Sequence, residues 1–141
     1  MKDPSDEILT AFYTALNGNL SYGGSNFPVY TVAPKSEYYR YVFLTELDVT
    51  DDSTKDKFTT DCTLIFEIVD KVYKKRSTYK AVNSIANSIL LLVIRQSLTM
   101  TNFDMTVKPW LFRPMEIFLD PVDLGVLPRK TIPINFKVQQ K

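Results

Sequence analysis

The stretch from Arg40 to Ile94 constrains the fold more than any other part of the chain. It holds two strand-like segments, a charged connector and a helical pattern, with no catalytic constellation inside it. Arg40 to Val49 and Phe58 to Val69 carry the two-residue period of half-buried strands, while Asp51-Asp52-Ser53-Thr54-Lys55-Asp56-Lys57 between them is too polar for core. A hairpin with a solvated tip is predicted. In its second strand Phe58, Thr60, Cys62, Leu64, Phe66 and Ile68 share one face, and Thr59, Asp61, Thr63, Ile65, Glu67 and Val69 the other. Burying the four large apolar side chains of the first face contributes ~6 to 12 kcal/mol before entropy is subtracted. The first strand is less clean: Tyr41, Phe43, Leu47 and Val49 alternate with Arg40, Glu46 and Asp48, but Val42 and Leu44 make the second face partly apolar too.

After a basic turn, Ala81, Val82, Ile85, Ala86, Ile89, Leu92 and Val93 recur at helical spacing, with Ser77 or Thr78 as the expected cap, and this helix is expected to pack across the sheet. Upstream, Ile8, Leu9, Phe12, Ala15 and Leu16 mark a short amphipathic helix with Ser5 as N-cap, Asp6 and Glu7 in the first turn, and Asn17-Gly18-Asn19 as the stop. Ser21 to Asn26, with Gly23-Gly24, reads as a flexible loop, and Pro28 to Pro34 as a short extended segment held to a sheet edge by its prolines. Downstream, strands are expected over Leu98 to Val107 and Trp110 to Leu119, a long loop over Asp120 to Pro128, and a closing strand over Thr131 to Gln139. Pro133 marks that last strand as edge or bulged. The order α-β-β-β-α-β-β(-β) is that of an α+β fold with an antiparallel or mixed β-sheet, a long hairpin, one long helix and a short N-terminal helix. It is read as a single domain over residues 1–141, with 1–4 an extension and 120–130 a long loop.

Composition narrows the functional classes. An apolar fraction of 45% supplies a core, and 17 basic against 16 acidic residues leave a net charge of +1, without the basic excess of a dedicated DNA-binding protein. The chain has no histidine, which removes Ser/His/Asp and Cys/His arrangements and His-ligated metal sites. Cys62, the only cysteine, reads as a small buried hydrophobe and excludes an intramolecular disulfide. The polar N-terminus has no secretory pattern, and the longest apolar run, Ile89 to Ile94, is far short of the ~20 residues that span a bilayer. No membrane association is expected.

The residues that could carry chemistry are few. Asp51, Asp52 and Asp56 lack the glycine and terminal glutamate of a calcium loop, and Lys55 and Lys57 offset their charge, so a solvated tip is the better reading. Lys71, Lys74, Lys75, Arg76 and Lys80, interleaved with Tyr73 and Tyr79, could meet phosphates or stack on bases, or could form a turn against an acidic neighbouring subunit. Gly23-Gly24 lacks the lysine and spacing of a phosphate loop. Tyr38-Tyr39-Arg40-Tyr41 is read as core edge or protein interface.

Phe27-Pro28-Val29-Tyr30, the hairpin strand Thr60 to Asp70, and the lysine-rich turn into Ala81 to Ile89 resemble the tail-completion or tail-terminator proteins of tailed bacteriophages, over roughly residues 5 to 95. The C-terminal third departs from that pattern: Lys108 to Pro114 and Asp120 to Pro128 are larger than it leads one to expect. The resemblance implies a structural virion protein, not an enzyme and without cofactor, made in the host cytoplasm. It implies a closed homo-oligomeric ring of six or twelve copies at the head-tail connector or tail end, in contact with other connector and tail proteins, with DNA passing through the lumen. The candidate subunit and ring contacts are then Asp51, Asp52, Lys55 and Lys57 at the hairpin tip, Lys74, Lys75 and Arg76 in the basic turn, and Trp110, Arg129 and Lys130 in the C-terminal third. The alternative is a nucleic-acid-binding module using the basic turn 71–80.

Overall fold

The computed structural model describes residues 2–32, 40–71, 79–95, 98, 100–107, 116–122 and 125–141. Two helices, α1 (Ser5–Leu16) and α2 (Lys80–Arg95), accompany eight strands: β1 (Ser21–Tyr22), β2 (Ser25–Asn26), β3 (Val29–Tyr30), β4 (Tyr41–Asp51), β5 (Thr59–Val69), β6 (Phe103–Val107), β7 (Glu116–Val122) and β8 (Gly125–Gln140). The fold is α+β, as expected. Six strands form one mixed sheet in the order β3-β4-β5-β8-β6, with β7 also paired to β8. The β3–β4 pairing is parallel and the others are antiparallel.

Both helices form where periodicity predicts, because each has one apolar stripe to bury. Ile8, Ala11, Phe12 and Leu16 of α1 and Ala81, Val82, Ile85, Ala86, Ile89 and Val93 of α2 lie in the same hydrophobic cluster as Leu64, Phe66, Ile134 and Phe136 of the sheet. Phe12 sits between two sheet aromatics, its ring centroid 5.6 Å from Phe66 and 5.3 Å from Phe136. The cap of α1 differs from expectation. Ser5 is the first helical residue rather than the N-cap, and the Asp3 carboxylate accepts from both the Ser5 backbone N–H at 2.9 Å and the Ser5 hydroxyl at 2.6 Å. The expected cap of α2, Ser77 or Thr78, lies outside the described residues. No helix among the described residues is long and apolar enough to cross a membrane.

The mixed pattern of β4 has a specific cause. A β-bulge lies between Leu44 and Glu46, so Leu44 pairs with Phe66 while Glu46 pairs with Ile65, its neighbour. The extra residue, Thr45, is exposed and donates its hydroxyl to the Ile65 carbonyl at 3.1 Å. One inserted residue reverses the alternation. Val42, Leu44, Leu47 and Val49 therefore stand opposite Ile68, Phe66, Leu64 and Cys62 on the core face. Tyr41 and Phe43, grouped by simple alternation with Leu47 and Val49, occupy the other face.

Three further expectations are corrected. Ser21 to Asn26 is not a flexible loop but a small hairpin, with Tyr22 paired to Ser25 across Gly23 and Gly24. Both glycines have positive φ, 58° and 80°, the geometry that a two-residue hairpin turn of matching twist demands. Asp120 to Pro128 is not a long loop either: β7 and β8 pair from Glu116↔Thr131 to Val122↔Gly125, so apart from residues 123 and 124, which are not described, the segment forms two arms of a hairpin. Finally, the closing strand is interior. β8 has β5 along one flank and β6 and β7 along the other. Pro133 lies within this strand, opposite Ile65 of β5. The predicted strand Leu98 to Val107 is shorter than expected: Leu98 and residues 100–102 are not strand, and β6 is Phe103–Val107; of Trp110 to Leu119, the described part from Glu116 on belongs to β7.

Candidate functional site

The register of the central sheet places its two hairpin ends at opposite poles. At one pole β4 ends and β5 begins, with Asp51 paired to Thr60, and the connector 52–58 projects from there. At the other pole β5 ends at Val69, opposite Arg129, and β8 continues backwards to Gly125, paired among the described strands with β7. Four residues of β8, Gly125 to Pro128, thus extend past the last β5 pair, about 13 Å at strand rise.

The first pole is internally braced. Asp52 N–H donates to the Thr59 carbonyl at 2.9 Å, Thr59 hydroxyl to the Asp52 carbonyl at 2.6 Å, and Thr54 N–H to the Lys57 carbonyl at 2.9 Å. The Asp51 carboxylate accepts from the Ser53 N–H at 3.0 Å, and the Ser53 hydroxyl and backbone N–H together hold the Asp51 carboxyl below its ordinary range. The Asp52 carboxylate receives the Lys137 ammonium at 2.6 Å, with Asp61 at 3.9 Å on its other side, and these partners raise the Lys137 pKa. Lys55, Asp56, Lys57 and Phe58 stay exposed, Phe58 by 50%. The chain termini lie at the same pole: Lys2 N–H donates to the Gln140 side-chain carbonyl at 3.1 Å, and Lys141 N–H to the Asn102 carbonyl at 2.9 Å.

Glu7 ties α1 to this pole. Its carboxylate accepts from the Asn102 backbone N–H at 3.0 Å and from the Asn102 amide, and these donors, the backbone one first, hold its pKa below the ordinary carboxylate value. A depressed folded-state pKa means that the contact contributes its full stability above the ordinary glutamate pKa and loses it as pH falls through the folded value. The α1–Asn102 contact is therefore expected to hold at neutral pH and to release only as pH falls below the ordinary glutamate pKa. An NMR titration of Asn102 checks this: its amide should shift with a midpoint below that of glutamate in a free peptide, and a midpoint at or above that value contradicts it.

The second pole carries a feature that the sequence reading missed. Asp70, fully buried at the end of β5, accepts from Arg40 Nε at 2.8 Å and from the Lys71 backbone N–H at 2.7 Å. The Arg40 guanidinium also lies 5.8 Å from the centroid of buried Phe27, and Arg40 holds a left-handed backbone with φ 56°. A non-glycine residue keeps such a conformation only where its surroundings hold it. The available signal was an aspartate ending an apolar strand beside a run of lysines.

The expected contact residues do not form one cluster. Asp51, Asp52, Lys55 and Lys57 lie at the first pole. Arg129 and Lys130 lie near the second pole on opposite faces of β8: Arg129 Nη1 donates to Glu67 at 2.8 Å, and Lys130 Nζ donates to Asn83 of α2 at 2.7 Å. Burial lowers the Lys130 pKa, as suits a lysine tying sheet to helix. Lys74, Lys75, Arg76 and Trp110 lie outside the described residues; of the basic turn, Lys71, Tyr79 and Lys80 are described and exposed. Cys62 is buried, with its sulfur 3.4 Å from the Thr60 hydroxyl. Among the described residues no group of three or more acidic or cysteine side chains is arranged to hold a metal ion.

No protein-family model matches the sequence, and no curated protein does either. Among solved structures, a chain from the virion of a native gene transfer agent (GTA) particle has a similar fold, with TM-score 0.68 at 16% sequence identity. The alignment covers 99% of this chain and 98% of that one. At such identity the likeness is one of fold. The aligned span takes in the C-terminal third of this chain.

Proposed function

We propose that the chain is a structural virion protein of a phage-like particle. It serves as a subunit of a closed ring at the head-tail connector or tail end, of the tail-completion or tail-terminator kind, that joins the portal side to the tail and lets DNA pass. The observation that carries this reading is the end-to-end fold likeness to a chain of a gene transfer agent virion. The opposite-pole placement of the two hairpin ends supports it: a ring subunit needs separate surfaces for the layers above and below, and the tip 52–58 and the β7–β8 arm point to different sides. Near-neutral charge suits a lumen through which DNA slides without sticking. Six or twelve copies are the numbers that the resemblance implies. Quantitative mass spectrometry of purified particles tests the reading, with six or twelve copies of the chain per particle expected. Absence of the chain from particles, or hundreds of copies per particle, contradicts it.

A further inference from the structure

We propose that the subunits join knob into groove, Phe58 of one copy seating against the outer stripe of α1 in the next, with Lys55 and Lys57 beside Asp6. The inference rests on the ring reading above and names a contact that would close it. Phe58 is the apolar exception in a polar tip. Its side chain is exposed by 50% although its backbone is fixed: the Phe58 carbonyl accepts from the Gln140 N–H at 2.9 Å. Ser53 brackets the next residue, its hydroxyl 3.2 Å from the Thr59 N–H and 3.3 Å from the Thr59 carbonyl. An aromatic side chain held out on an ordered backbone needs little further ordering to bind, which makes it an effective interface anchor.

The receiving surface lies on α1. Ile8, Ala11, Phe12 and Leu16 face the core, while Asp6, Leu9, Thr10 and Tyr13 recur at helical spacing on another stripe. Together with Thr31, just past β3, they line a groove of about 370 Å³, which falls within the ~300–1,000 Å³ range of binding pockets and leaves room for a phenyl ring. Leu9 is half-buried and Tyr13 exposed by 39%, its hydroxyl accepting from the Asn17 side-chain amide at 3.1 Å.

Three observations commit the occupant to a second copy of this chain. The groove offers an apolar and aromatic wall, Leu9 and Tyr13, and the tip offers one aromatic side chain to meet it. Their charges are complementary. Asp51 and Asp52 are engaged by Ser53 and Lys137, so the tip presents Lys55, Asp56 and Lys57 beside Phe58, a lysine majority, whereas Asp6 is the only charged residue among the described lining residues. Finally, knob and groove lie on different parts of the subunit, one at the β4–β5 turn and one between α1 and the end of β3. Their contact is therefore head-to-tail, the kind whose rotation closes a ring.

A charge swap across the contact tests the proposal. Native mass spectrometry over a dilution series, with the virion partners present where the wild type needs them, gives the concentration at which the ring comes apart. Phe58→Ala, Asp6→Lys and the pair Lys55→Glu/Lys57→Glu should each raise it about tenfold or more. Combining Asp6→Lys with Lys55→Glu/Lys57→Glu should bring it back towards wild type. All four positions are exposed, and circular dichroism confirms that each variant folds. Phe58→Ala and Lys55→Glu/Lys57→Glu lie outside α1, so they report on the contact even if Asp6→Lys loosens the start of that helix. If wild-type protein forms a ring but the folded variants form it at an unchanged concentration, or the two charge reversals weaken it without rescuing each other, the knob-and-groove contact is wrong and the ring reading stands. If wild-type protein forms no ring even with its virion partners, both fall.

Discussion

Replacing Arg40 with alanine should be among the most damaging single changes, lowering stability by about 3–5 kcal/mol. The reason is the carboxylate left behind. Asp70 is fully buried and Arg40 only 16% exposed, so truncating the arginine takes a 2.8 Å ion pair away from a carboxylate in a poorly solvated site. For a domain of this size the loss corresponds to a melting-temperature drop of roughly 10 °C or more. Arg40→Lys keeps a charge but not the planar fork and should fall in between. The double variant Arg40→Leu/Asp70→Leu, which removes both charges, should lose less than Arg40→Ala alone. Arg40→Gly separates charge from backbone: it relieves the positive φ of 56° yet should remain destabilised, because the guanidinium is gone. Melting curves of the four variants decide the matter, and an Arg40→Ala melting temperature within 2 °C of wild type, roughly the size of a surface substitution, would overturn the assignment.

The second large effect is expected at Phe66. Its side chain is fully buried in the middle of β5, facing Phe12 of α1 across the sheet-helix interface and paired in register with Leu44 and Ile132 on either side. Phe66→Ala should cost about 3–5 kcal/mol, from lost burial plus the cavity left behind. That is a large fraction of the ~5–15 kcal/mol by which domains are stable. Phe66→Leu, which keeps most of the volume, should cost clearly less. Phe43→Ala, on the opposite face and half-buried, should cost less than Leu44→Ala although it removes more atoms, because the bulge turns Leu44 and not Phe43 to the core. Urea denaturation with an unchanged slope measures all four. The reverse order for Phe43 and Leu44 would contradict the register of β4.

Those two sites also show what could be read from the chain before the structure. The core face of β5 from Cys62 to Ile68 and the apolar stripe of α2 were legible because long, regular periodicities leave few alternatives. The parity change in β4 was not legible. Val42 and Leu44 signalled two apolar faces, but nothing in the residues said that Thr45 would be squeezed out of the ladder. The Gly23-Gly24 hairpin was present in the sequence and misread, since two adjacent glycines between short polar-aromatic segments are a turn signal as well as a flexibility signal. Pro133 pointed to an edge because proline removes a ladder donor, yet it stands in a strand flanked by β5 on one side and by β6 and β7 on the other.

For the candidate surfaces, the charged tip 51–57 was found by polarity alone, while the internal partners of Asp52, Arg129 and Lys130 depend on contacts 47 to 85 residues apart that no local pattern encodes. The Arg40–Asp70 pair spans 30 residues and was missed for the same reason. The placement of two hairpin ends at opposite poles follows only from the order β4-β5-β8-β7 in the sheet, which places both β8 flanks in play.

The central claim is that this chain acts as a ring subunit. Native mass spectrometry of the purified full-length protein, alone and mixed with its virion partners, tests it most directly. A discrete species of six or twelve copies in at least one of these mixtures is the result expected. A strict monomer in every one of them, or open-ended filaments with no closed species, would contradict it.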